Sequence, residues 1–227
     1  MASHLRDEST GHVRIAATDT SLSTFLPRAV GRLLELWPAA SVEIIPDAMS
    51  SRVLELVETG QVDIGISQRP RRKIDPGSSI QSRALCEHPL AVAFPKDHAF
   101  SRLTAVRARD LDGIPIAHVR AQTTTYDLME ATCRSEGVTL KIFAETNSSF
   151  AVCGLIASSG RGVGLVNPLL LEAGLFPGLE WRPFSPRILI RTYAHYLKTF
   201  PLPEVPAQLV ECLADIGESI GPLTKRT

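Results

Sequence analysis

Gly11-His12-Val13-Arg14-Ile15-Ala16-Ala17-Thr18-Asp19-Thr20-Ser21 is the stretch whose reading decides the fold. A short β-type run over residues 12–17 stops at four small polar residues suited to starting a helix. Beyond them Leu22, Leu26, Ala29, Val30, Leu33, Leu34 and Trp37 recur at helical spacing and predict one helix with a single buried face. Pro27 is tolerable near the first turn of such a helix, and Pro38 closes it. A second strand is predicted over 42–45. Strand, polar turn, helix and strand in that order open an α/β fold.

The alternation continues outward from there. A helix over 50–59, started by Ser50 or Ser51 and ended by Gly60, leads to a strand over 62–67. A loop rich in Arg, Pro, Gly and Ser fills 68–79, and strands are predicted over 80–86 and 89–94. The pattern then restarts: strand 114–118, helix 125–136 ended by Gly137, strand 140–144, helix 149–158, and strand 163–166 stopped by Asn167-Pro168. A strand over 188–196 follows. Leu209, Val210, Leu213, Ile216 and Ile220 make a last amphipathic helix introduced by Pro206. Two similar halves of this kind predict an α/β chain of two Rossmann-like lobes with largely parallel sheets. In open α/β sheets ligands settle beyond the carboxyl ends of strands, where helix N-termini present free N–H groups. Hydroxyl-rich turns stand at four such ends: 18–21, Ser67-Gln68, 122–125 and 146–149. Singly each reads as a helix cap; together they read as the lining of one cleft.

Composition removes several function classes. The formal net charge is zero, with 44% apolar and 21% charged residues, so the chain lacks the basic excess that phosphate backbones require. Arg69, Arg71, Arg72 and Lys73 form the one basic run, and its Pro and Gly neighbours make it a solvated loop. Cys86, Cys133, Cys153 and Cys212 are scattered without a C-x-x-C pair, which points to buried thiols rather than a disulfide framework or a zinc site. No secretory signal or membrane span is legible, so the expectation is a cytoplasmic protein with no membrane partner. His12, His88, His98, His118 and His195 offer bases, yet no catalytic motif ties one to a nucleophile, so the chain is read as no enzyme. Gly160-x-Gly162-x-Gly164 follows a helix and opens a strand, the reverse of a dinucleotide fingerprint. No cofactor and no metal are expected.

Four motifs carry a family resemblance. Gly11 to Ala16 resembles the G-x-L-R-I-A/G strand that begins LysR-type effector domains, and Gly60-Gln61-Val62-Asp63-Ile64-Gly65-Ile66 resembles their G-x-x-D-x-A/G-I element. Phe94-Pro95-Lys96-Asp97-His98 resembles the P-x-x-H-P-L segment, with Ala99-Phe100 where Pro-Leu is usual. Gly160-Arg161-Gly162-Val163-Gly164-Leu165-Val166 resembles the G-x-G-I-x-x-x-P strand entry, with Pro168 in place. The match runs from residue 11 to about 220. Glu145-Thr146-Asn147-Ser148-Ser149, Val152-Cys153 and Val166-Asn167-Pro168 most resemble the branch holding LysR itself and the octopine- and nopaline-catabolism regulators.

The resemblance implies a fold like type II periplasmic binding proteins, two lobes joined by two crossover strands. Lobe 1 would be 11–83 plus 191–220 and lobe 2 would be 84–190, with 1–10 a linker remnant and 221–227 a tail. It also implies a winged helix-turn-helix before Gly11, which ten residues cannot hold; a truncated piece or a freestanding sensor is therefore expected. The implied function is ligand sensing in a transcription regulator, with a homodimer or homotetramer that meets DNA only through the missing domain. The effector would be small, polar and amino-acid-like, held between the lobes by Thr18, Thr20, Ser21 and Ser67 on one side and Gln122, Thr123, Thr124 and Asn147 on the other. Helix N-termini after Thr20 and Thr124 suit a carboxylate. Arg120 is either a bidentate partner or a solvated charge, and Asp19 either receives an ammonium or only caps its helix. The rival readings are a solute-binding protein of the same fold and a small-molecule enzyme.

Overall fold

The computed structural model describes residues 11–47, 49–70, 78–119, 124–198 and 201–221. It divides into two compact units. Among the described residues the first holds everything up to Ser67, the stretch 78–86, and the chain from Thr192 onward; the second holds 68–70 and the run 87–191.

The first unit begins with β1 (His12–Ala17), α1 (Asp19–Ser23), α2 (Leu26–Leu36), β2 (Ser41–Pro46), α3 (Ser50–Glu58) and β3 (Ile64–Pro70). The helix predicted from Leu22 to Trp37 is two helices, and Pro27 explains the break. In a continuous helix its ring would strike the carbonyl of Ser23, the last residue of α1, four positions back. Phe25, fully buried, caps α2 instead. Leu26, Ala29 and Leu33 turn inward, whereas Leu34 stays 40% exposed, so the predicted face is only partly buried. Helix α3 is capped by Met49 rather than by Ser50 or Ser51, and the Asp47 carboxylate accepts the Met49 N–H at 2.8 Å. β1 pairs in parallel with both β2 and β3. Two of the sequence motifs meet there. Asp63 accepts the Arg14 backbone N–H at 2.9 Å and its Nη2 at 3.0 Å, and Arg14 also donates to the Gly60 carbonyl.

The chain continues through β4 (Ile80–Pro89) and returns as β11 (Leu189–Leu197) and α7 (Glu204–Ile220), completing a five-stranded sheet of order β2-β1-β3-β11-β4. Helix α7 starts two residues before Pro206, whose place in the first turn needs no N–H partner. α7 packs on α2, and Val53, Leu56 and Val57 of α3 close a core cluster with Ala16, Val62 and Ile80.

The second unit contains β5 (Ala91–Pro95), β6 (Val106–Arg107), β7 (Pro115–Val119), α4 (Thr124–Ser135), β8 (Lys141–Thr146), α5 (Ser149–Ser159), β9 (Val163–Val166), α6 (Leu169–Glu172) and β10 (Leu179–Ser185). Its six strands are ordered β6-β10-β5-β9-β7-β8. This sheet is mixed, not largely parallel: β5 runs antiparallel to both β10 and β9, whereas β7 is parallel to β8 and β9. Alternate residues feed two cores. Val92, Phe94, Ile116 and Leu165 face one, and Ala93, Ala117 and Val166 face the other, where α5 lies with Val152, Cys153 and Ile156. Phe100, standing where leucine is usual, is buried edge-on to Phe94 with ring centroids 5.7 Å apart, and His98 Nδ1 accepts the Phe100 N–H. All four cysteines are buried and unbridged, and burial pushes the Cys133 thiol up to about 11. No helix among the described residues is long and apolar enough to cross a membrane.

Candidate functional site

In the first unit the residues singled out at the strand ends lie together. Thr18 follows β1; its backbone N–H donates to the Ile66 carbonyl at 3.1 Å, which ties the tip of β1 to β3 one residue before Ser67. Thr18 is the N-cap of α1 by backbone, but its side chain makes no capping bond and its Oγ1 lies 3.4 Å from Ser21 Oγ. Asp19 Oδ1 accepts the Thr20 N–H at 2.7 Å, and Thr24 Oγ1 donates to the Thr20 carbonyl at 2.6 Å. Thr18, Thr20, Ser21 and Ser67 are all buried. Buried hydroxyls are costly unless they are satisfied, and four of them stand at two neighbouring strand ends.

Behind them stands a residue that sequence reasoning listed only as a spare base. His195, fully buried on β11, has Nε2 2.9 Å from Ser67 Oγ and Nδ1 2.7 Å from Ser82 Oγ, and its ring stacks on Tyr193. Ser67 and His195 are 128 positions apart, and no local pattern announces such a pair. The arrangement differs from a catalytic triad, whose base gives one nitrogen to the nucleophile and the other to a carboxylate; here serine hydroxyls stand at both.

In the second unit the hydroxyl turn after β8 works mainly as a cap. Ser148 Oγ accepts the Ala151 N–H at 3.0 Å and Thr146 Oγ1 accepts the Ser148 N–H, while Asn147 between them is exposed. Thr124 is the first residue of α4. Arg120, Gln122 and Thr123 lie outside the described residues, as does the side chain of Thr124. Three further buried polar groups stand here; the sequence offered His118 and His88 only as spare bases and gave no sign of Glu87. His118 Nδ1 donates to the Val119 carbonyl, with Nε2 3.2 Å from Glu145. Glu87 holds Arg191 through two bonds to one carboxylate oxygen, at 2.9 and 2.5 Å. His88 lies 3.9 Å from Glu172, and burial holds its imidazole down to about 4. Among the described residues no group of three His, Cys, Asp or Glu could hold a metal ion.

Comparison with known proteins adds the family. The model of the LysR substrate binding domain matches residues 6–217. The uncharacterized HTH-type transcriptional regulator YbhD of Escherichia coli K12 is 25% identical over 182 residues, covering 80% of this chain and 56% of that protein. The octopine catabolism/uptake operon regulatory protein OccR of Rhizobium meliloti is 26% identical over 185 residues, covering 82% and 59%. The chain thus spans less than two thirds of either relative. Among solved structures, the Synechocystis PCC6803 CcmR regulatory domain in complex with 2-PG superposes with a TM-score of 0.76 at 18% identity, covering 93% of this chain and 99% of that one, a likeness of fold. With the family model matched along nearly its whole length, the chain belongs to the LysR substrate binding domain family.

Proposed function

We propose that this chain is the effector sensor of a transcription regulator and that it binds a small, polar, amino-acid-like molecule at the strand ends of its first unit. The observation that carries this reading is the buried group of Thr18, Thr20, Ser21 and Ser67, with Asp19 at its edge. Hydroxyls supply both donors and acceptors, and Asp19 supplies the negative charge an ammonium needs. The name of one relative, a regulator of octopine catabolism and uptake, supports an amino-acid-like ligand, whereas the CcmR structure with 2-PG supports a small ligand without that chemistry. From the second unit, Arg120, Gln122, Thr123, Thr124 and Asn147 are proposed contacts on the family resemblance. The bound effector shifts a conformational population and so changes the spacing of DNA-binding heads in the longer protein.

Self-association is part of the same proposal. Leu34 and Leu36 on α2 and Ile44 on β2 are 40%, 54% and 40% exposed in the first unit, and Phe143, Phe150, Leu155 and Leu175 are similarly open in the second. A second copy would cover the exposed apolar side chains of α2 and β2, as in a symmetric dimer.

Thermal unfolding against a panel of amino acids, opines and small organic acids tests the ligand class. A cognate compound at about a hundred times its Kd is expected to stabilise the fold by about 2.7 kcal/mol. Stabilisation by organic acids alone would remove the amino-acid assignment.

A further inference from the structure

Glu87 and Arg191 form a buried ion pair that takes no part in the proposed effector site. Their side chains are 1% and 15% exposed, and Arg191 donates from both Nε and Nη2 to the one oxygen Oε2. Taking two charges out of water is costly, and apolar residues of similar volume would pack two strands together at least as well. What the charges add is a fastening at one place, since bonds between ionised groups are roughly twice as strong as neutral ones. That place is where the chain divides. The long run of the second unit begins at Glu87 on β4 and ends at Arg191 on β11, so the pair joins its two ends. Within the first unit the same two strands meet through a neutral contact, Ser82 Oγ to His195 Nδ1 at 2.7 Å. Between the two fastenings lie Arg83 to Cys86 on β4 and Thr192 to Ala194 on β11. There Arg83 pairs with Glu211 of α7, and the buried Thr192 Oγ1 has no partner among the described residues.

We infer that Glu87 and Arg191 form a clasp that holds β4 against β11 where the second unit's run begins and ends, and that bending of the two strands is thereby confined to residues 83–86 and 192–194. The clasp does not depend on which residues meet the effector. It depends on both partners. Removing Arg191 leaves the Glu87 carboxylate buried without this counter-charge, whereas removing both charges leaves two strands packed by apolar side chains.

The test is amide hydrogen exchange, resolved along the whole chain without ligand, in the wild type, in Arg191→Met and in the double variant Glu87→Met with Arg191→Met. Arg191→Met is expected to speed exchange by roughly a hundredfold at 87–91 and 188–191, while β7 and β9 keep their wild-type rates. The double variant is expected to return those amides to within about tenfold of the wild type. Ser82→Ala, which removes only the neutral contact, is expected to change rates by less than about tenfold and only within 80–86. Should Arg191→Met fail to fold, Arg191→Lys is read in its place, with a rise of about tenfold at the same amides, because it keeps the charge and loses the two-pronged donor. Wild-type rates in the single variant would overturn the clasp. So would a rise spread evenly over β7 and β9, which marks a general loss of stability, or a double variant as open as the single one. Each of these results leaves the effector site standing.

Discussion

Asp19 is the acidic member of the hydroxyl turn, and its Oδ1 already accepts the Thr20 N–H. Asp19→Asn keeps the shape and an acceptor oxygen while removing the charge. If Asp19 receives an ammonium, the variant is expected to bind its effector roughly ten- to a hundred-fold more weakly, about 1.5–3 kcal/mol. If the carboxylate only serves the helix, calorimetric titration will give equal affinities, since Asn suits a helix start about as well as Asp. His88 supplies a second forecast, on stability. Its imidazole is held down to about 4 from an ordinary 6.5, first by burial, with the Glu87 carboxylate pulling the other way. Between those values the unfolded chain takes up a proton that the folded chain refuses. Stability is therefore fully present above 6.5 and falls as pH drops towards 4, by on the order of 3 kcal/mol in all. Glu172 nearby, its carboxyl raised by burial, contributes with the opposite sign, losing stability as pH rises. Urea unfolding across this range should show a shallower slope in His88→Gln; an unchanged slope would remove His88 as the source. At this scale the turn from Thr18 to Ser21 was legible because strand end, polar residues and helix start are contiguous. His195 and Ser82 were not, because a side-chain contact across 113 to 128 positions leaves no mark in local pattern.

Elements were legible wherever one physical signal dominated. β1, β2, α3, α5 and β9 follow from period and terminators, and Gly160 ends α5 in the left-handed region as its place predicts. The broken helix was hidden because the apolar spacing of 22–37 runs straight across Pro27, and only the clash with the Ser23 carbonyl divides it. β10 escaped notice because Pro183, a residue that argues against an interior strand, sits within it between Arg182 and Phe184. The glycines after α5 do different jobs. A Cβ on Gly164 would come within 2.4 Å of Ile156 and 2.5 Å of Val152, so this residue sets how closely α5 lies on β9. Gly164→Ala is expected to cost about 1–3 kcal/mol. Gly31, on the outer side of α2 with nothing within 4 Å of such a carbon, is expected to gain about 0.5–1 kcal/mol as Gly31→Ala. Denaturant midpoints of the two variants should move in opposite directions. Leu36, the most exposed of the large apolar residues on α2, gives the corresponding test of association. Sedimentation is expected to show dimers of the wild type at about tens of micromolar, a rough range for a modest interface, and Leu36→Glu should shift it towards monomer. A monomeric wild type would remove the proposed face.

For the whole molecule, the alternation of strands and helices, the absence of basic excess and the four motifs were enough to indicate a two-lobed α/β sensor. They did not reveal that β5 runs against its neighbours, because strand direction depends on the route between lobes and not on residue pattern. The zero net charge carries an expectation of its own: this chain alone should show no sequence-selective shift of DNA at physiological salt. An amino-acid-like effector is proposed to sit at the ends of β1 and β3. Amide hydrogen exchange on the full chain, with and without compounds that raise its melting temperature, measures this most directly, since a bound ligand slows local opening where it sits. The expected result is saturable protection over α1 and at Ser67, produced by an amino acid or amino-acid conjugate. Saturable binding that leaves α1 and Ser67 exchanging as before, or no saturable binding by any such compound, would contradict it.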